Sequence, residues 1–85
     1  MTPETFKRTV RNFEAVYRRL DRGELTGRNA DATEATLEGH YRALKSALDA
    51  ELYVDDSPLF ALLESDERLA ARWNRLERRR VGLPV

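Results

Sequence analysis

Apolar side chains in this chain recur at steps of three and four, a spacing that belongs to helices. Phe6, Val10, Phe13, Tyr17 and Leu20 follow one another at steps of 4, 3, 4 and 3, with Val16 alongside. Such residues line one side of a rod with about 3.6 residues per turn, whereas a half-buried strand would alternate. Leu37, Tyr41, Leu44, Leu48 and Leu52 repeat the pattern, and Leu69, Ala70, Trp73 and Leu76 continue it. Segments of this kind bury stripe against stripe. The expected fold is all-α, a small three-helix antiparallel bundle in one domain over residues 1–85.

Local signals place the helix ends. Thr2 is a good N-cap, Pro3 suits the first helical position, and Glu4 favours the positive end of the helix dipole. Arg18, Arg19 and Arg22 fall in the last turn and Gly23 can supply a left-handed stop, so the first helix is expected over about 3–22. Residues 23–30 read as a loop with Leu25 tucked beneath it. The second helix is expected over about 31–53, opening on a capping box of Asp31 and Glu34.

Ser57-Pro58 restarts the chain for a third helix over about 58–80. A continuous rod would set Asp66 on the apolar edge between Leu62 and Leu69, and an unpaired buried charge is expensive. A break near Ser65 avoids this, giving helices over 58–64 and 66–80. Trp73, between Leu69 and Leu76, reads as core. The tail Val81-Gly82-Leu83-Pro84-Val85 reads as an extended strap or a partner contact.

The second helix carries another edge opposite its leucines: Gly39, Ala43, Ser46 and Ala50, all small. Small residues let another backbone come close, which suggests a central helix inside the bundle or at a dimer seam. A third strip holds Glu34, Glu38, Arg42, Lys45 and Asp49, in which Glu38 with Arg42 and Lys45 with Asp49 are spaced for i,i+4 pairing. The alternative to a closed bundle is an open hairpin of the first two helices that completes its core by dimerising. Eighty-five residues are near the lower limit for a lone core. A chain of this size keeps net stability on the order of 5 kcal/mol, and oligomerisation is a common remedy.

Chemistry finds few footholds. There is no cysteine, which excludes disulfides, thiolate metal sites and a cysteine nucleophile. His40 is the sole histidine and has no carboxylate set at ligand spacing. Ser46, Ser57 and Ser65 lack a glycine-flanked elbow, and no strand precedes Gly23 or Gly27 to form a phosphate-cradling loop. A catalytic role, a cofactor, a metal and a small-molecule substrate are therefore not expected. No apolar run approaches the ~20 residues of a membrane helix, and the N-terminus lacks a secretory layout, so a cytoplasmic protein is expected.

Charge is what remains. The chain is neutral overall, with fifteen cations and fifteen anions, yet the signs are segregated. Residues 1–28 hold seven cations against four anions, residues 29–66 two against nine, and residues 67–85 six against two. Such a chain can fold its acidic middle onto its basic ends or offer one sign to a partner. Arg68, Arg72, Arg75 and Arg79 recur at helical steps and would line one edge over about 16 Å. Arg11, Arg18 and Arg22 lie opposite the apolar stripe of the first helix. These seven arginines are the candidate partner-binding residues, for a protein or a phosphate backbone.

One local resemblance is present. Phe6 to Thr26 (Phe-x3-Val-x2-Phe-Glu-x-Val-Tyr-x2-Leu-Asp-x-Gly-Glu-Leu-Thr) resembles the first helix and turn of the exonuclease VII small subunit, a small helical accessory protein. It ends at Thr26, where Gly27 to Ala32 reads as an insertion, and the Trp73 helix has no counterpart in that pattern.

The expected function is a noncatalytic protein-interaction module that self-associates or binds a larger protein, as accessory subunits, inhibitors and phage or mobile-element proteins do. Its contact surface would use Gly39, Ala43, Ser46 and Ala50 or the Leu59–Leu63 cluster, with arginines at the rim. The alternative is a nucleic-acid-binding protein that uses the arginine stripes of the first and last helices.

Overall fold

A computed structural model describes residues 1–80. Those residues are all-α: α1 (Pro3–Asp21), α2 (Gly27–Ala50), α3 (Pro58–Ser65) and α4 (Glu67–Arg80). The count is four instead of three, because the third expected helix divides at Asp66. The apolar tail expected to act as a strap lies outside the described residues.

The start of α1 follows its sequence. Thr2 Oγ1 accepts the Thr5 amide at 3.1 Å, and Pro3 occupies the first turn. At the far end Gly23 takes φ +74, the amide of Gly23 donates to Leu20 and that of Glu24 donates to Arg19. This paired closure is a Schellman motif, and only a residue without a β-carbon adopts that φ freely.

The second helix departs from expectation at both ends. It begins at Gly27, with Thr26 as N-cap and no side-chain cap bond, so Asp31 and Glu34 are exposed helical residues and form no capping box. Leu25 is half-buried and lines a groove with Phe13, Val16 and Leu37, and α2 opens four residues earlier than expected. At the other end α2 stops at Ala50. The carboxylate of Glu51 accepts the Ser57 hydroxyl at 2.5 Å and the Leu59 amide at 3.3 Å. Reaching the start of α3 pulls the chain out of the rod. Leu52, which continues the leucine spacing of α2, lies in the turn instead.

Ser57 caps α3 by accepting the Phe60 amide at 3.2 Å, with Pro58 in the first turn. Asp66 then caps α4: Oδ1 accepts the Leu69 amide at 3.0 Å while Oδ2 meets Lys7 Nζ at 2.9 Å. The break thus turns a charge that would have been buried unpaired into a cap and an ion pair.

One core joins the four helices: Phe6, Val10 and Phe13 from α1, Leu37, Leu44 and Leu48 from α2, Leu59 from α3, and Leu69, Trp73 and Leu76 from α4. Trp73 lies between Tyr41, stacked at 5.6 Å between ring centroids, and Phe6, tilted at 5.8 Å. The central helix is α1, which packs against each of the other three. The sequence had suggested α2. Its second edge is small rather than greasy, so covering it removes little apolar area from water.

Candidate functional site

The seven candidate arginines have different surroundings. On α4, Arg75 donates through Nε and a terminal nitrogen to Glu14 Oε1 at 3.0 and 2.7 Å. Arg72 Nε stands 3.3 Å from the other oxygen, Glu14 Oε2, a charge contact without hydrogen-bond alignment. Arg79 pairs with Asp21 at 2.8 Å and lies over the Tyr17 ring, 4.2 Å from its centroid. Arg80, beyond the row, pairs with Glu38 at 2.5 Å. Arg68 is exposed and makes no ion pair with a described residue.

On α1, Arg18 joins Glu14 at 3.1 Å and Arg22 pairs with Glu24 at 2.7 Å. Arg11 is exposed and makes no such pair. The structure therefore brings Arg18, Arg72 and Arg75 together on one carboxylate. Glu14 is buried, with only 7% of the residue exposed. Removing a carboxylate from water costs several kcal/mol, and three guanidinium groups offset that cost.

Burial raises the Tyr17 pKa, opposed by the nearby Arg79 charge. The hydrogen bond from Arg80 is the main cause holding Glu38 below its ordinary carboxylate value, and that bond also raises the pKa of Arg80. Asp66 is lowered chiefly by the Leu69 amide and then by Lys7. The expected pairs on the α2 strip form as well, Glu38 with Arg42 at 3.3 Å and Lys45 with Asp49 at 3.8 Å.

Gly39, Ala43, Ser46 and Ala50 are all exposed, and a β-carbon built on Gly39 meets nothing within 4 Å. No described helix packs closely along this edge. The Leu59–Leu63 cluster is mostly taken up by the protein itself: Leu59 is fully buried, and Phe60, Leu62 and Leu63 pack against the core. His40 is exposed and helps line a groove of about 500 Å³ between α1 and α2, whose apolar lining includes Phe13, Val16, Leu25 and Leu37. Among the described residues no group of three or more metal-ligating side chains converges, and no helix is long and apolar enough to cross a membrane.

Two features escaped the sequence reading. Glu14 counted there only as a charge, although it stands four residues after Val10 and three before Tyr17, on the flank of the buried stripe. That position was the available signal. The other is the turn after α2, where Leu52 and Val54 are half exposed and Tyr53 is 94% exposed. The regular spacing of Leu48 and Leu52 concealed it, because nothing in the sequence showed that Glu51 would reach forward to α3.

Comparison with known proteins found no matching family model, no matching curated protein and no matching solved structure, so the likeness of Phe6–Thr26 to the exonuclease VII small subunit remains local to that segment.

Proposed function

We propose that this chain is a noncatalytic protein-interaction module, a small helical bundle that meets a second copy or a larger protein through the turn after α2. One observation carries the reading: three consecutive large apolar residues, Leu52, Tyr53 and Val54, stand in solvent while the core closes without them. Scattered apolar residues are ordinary on a surface, but a contiguous group exposed at this level marks a contact site. Tyrosine favours that role, because its rigid ring brings contact area at low entropic cost and its hydroxyl keeps a polar handle. The exposed edge of α2 (Gly39, Ala43, Ser46, Ala50) leads toward this turn and offers a surface on which another helix can lie close. The reading places the protein in the cytoplasm, with no cofactor and no small molecule that it converts.

The nucleic-acid alternative draws less support. Three of the four arginines in the α4 row already face carboxylates of α1, which lowers the charge the row presents to a phosphate backbone. Sedimentation equilibrium on the full chain tests the proposal, followed by capture of partners from the native host with and without Leu52→Ser/Tyr53→Ser. Association that persists in high salt and is lost in the double variant supports it. A bound fraction made of nucleic acid, released by salt and indifferent to the double variant, overturns it.

A further inference from the structure

We propose that the cleft between the first half of α1 and the start of α4 binds a compact phosphate or diphosphate group carried by a small molecule. This goes beyond the protein-contact reading and uses a different face of the molecule. Lys7, Arg11, Arg68 and Arg72 line a cleft of about 380 Å³, with Leu69 and the single carboxylate of Asp66. The cations converge through helix geometry. Lys7 and Arg11 stand one turn apart on α1, Arg68 and Arg72 one turn apart on α4, and the two helices pack together.

Like charges at that spacing destabilise a helix, and here two such pairs flank one cleft. Asp66 holds the Leu69 amide and Lys7 and its charge also acts on Arg11, but it supplies one negative charge against the four cations of the cleft. Arg72 is partly held by Glu14 Oε2 at 3.3 Å, whereas Arg11 and Arg68 have no ion pair with a described residue. Two guanidinium groups with open donor forks suit a tetrahedral oxyanion, since each fork can donate two parallel N–H bonds. A dianion placed between them would relieve the repulsion that the fold now carries.

Charge beyond the cleft sets the size of the ligand. Further along α4, Arg75 is committed to Glu14, Arg79 to Asp21 and Arg80 to Glu38. The arginines of the α1–α4 seam without an ion pair to a described residue, Arg11 and Arg68, therefore stand at one end of it and make no continuous track for a long backbone. A polymer contacting many phosphates needs such a track, and one phosphate group does not.

The test is a titration of the full chain with inorganic pyrophosphate at constant ionic strength, followed by amide NMR shifts and by melting temperature. The expected result is a saturable shift confined to residues 7–11 and 66–72, with a melting temperature that rises with ligand. Arg11→Ala/Arg68→Ala should weaken binding by at least about tenfold, while Arg19→Ala/Arg28→Ala, which removes two exposed arginines elsewhere, should change it by less than about twofold. Equal losses in the two variants, or shifts scattered over the surface, would overturn the site as diffuse charge attraction. A short and a long oligothymidylate form the second arm. Affinity that climbs with strand length beyond the number of equivalent positions would replace the compact site with a nucleic-acid surface.

Discussion

Glu14 and Arg75, sixty-one residues apart, meet through two nitrogens of one guanidinium on a single carboxylate oxygen, at 3.0 and 2.7 Å. The contact fastens α4 to α1 at the flank of the core, and Arg18 and Arg72 reach the same carboxylate from either side. The basic end of the chain is thus folded onto an acid of its own first helix. The acidic middle contributes Glu38 to Arg80 and Asp66 to Lys7.

Removing the shared carboxylate should cost more than removing one of its cations. Glu14→Gln leaves three guanidinium groups crowded without a counter-charge and is expected to lower stability by about 2 kcal/mol. Arg75 keeps 44% of its side chain in solvent, so screening discounts Arg75→Ala to about 1 kcal/mol or less. Urea denaturation of both variants checks the ordering. An equal or larger loss from Arg75→Ala would contradict the assigned role of Glu14.

Trp73 should decide whether the chain folds at all. Its ring stacks on Tyr41 and tilts against Phe6, and truncation to alanine is expected to cost about 3–5 kcal/mol, most of what a domain of this size has. Trp73→Phe keeps an apolar ring and should melt between the two. Circular dichroism against temperature provides the comparison.

Asp66 links stability to acidity. Its folded pKa lies below the ordinary value of 3.8, so the stability it adds is fully present above that value and is lost as pH falls through the lower, folded one. Asp66→Asn keeps a capping oxygen but loses the charge facing Lys7, and should flatten the fall of stability on the acid side of pH 3.8. Asp66→Ala removes the cap as well and should cost about 1 kcal/mol at neutral pH. Melting curves across the acid range separate the two effects.

Two glycines should respond in opposite directions. A β-carbon on Gly39 meets nothing and its backbone is helical, so Gly39→Ala should stabilise the chain by about 0.5–1 kcal/mol. Gly23 holds φ +74, where alanine is strained, and Gly23→Ala should destabilise by roughly 1 kcal/mol. A loss of stability in Gly39→Ala would mean that a second copy already lies along that edge.

Much of this fold could be read from residues close in sequence. Thr2-Pro3, Gly23 and Ser57-Pro58 each act within a turn of where they stand, so α1 and the start of α3 followed directly, and the cost of burying Asp66 foretold the break before α4. The errors came from contacts that cross the chain. Glu51 closing on Ser57 ended α2 early, while its early start at Gly27 follows no side-chain cap. The partners Glu14 and Asp21 of Arg72, Arg75 and Arg79 depend on how α1 and α4 dock, which periodicity does not encode. For Arg72, Arg75 and Arg79, whether the guanidinium faces solvent or a carboxylate is settled by how the two helices dock.

Glu51 bonds the hydroxyl that caps α3 and the Leu59 amide, so the segment bearing Tyr53 is pinned at both feet. The aromatic ring therefore rides on a closed hoop rather than a frayed end. Whatever meets it encounters a knuckle shaped in advance, and little ordering is left for the moment of contact.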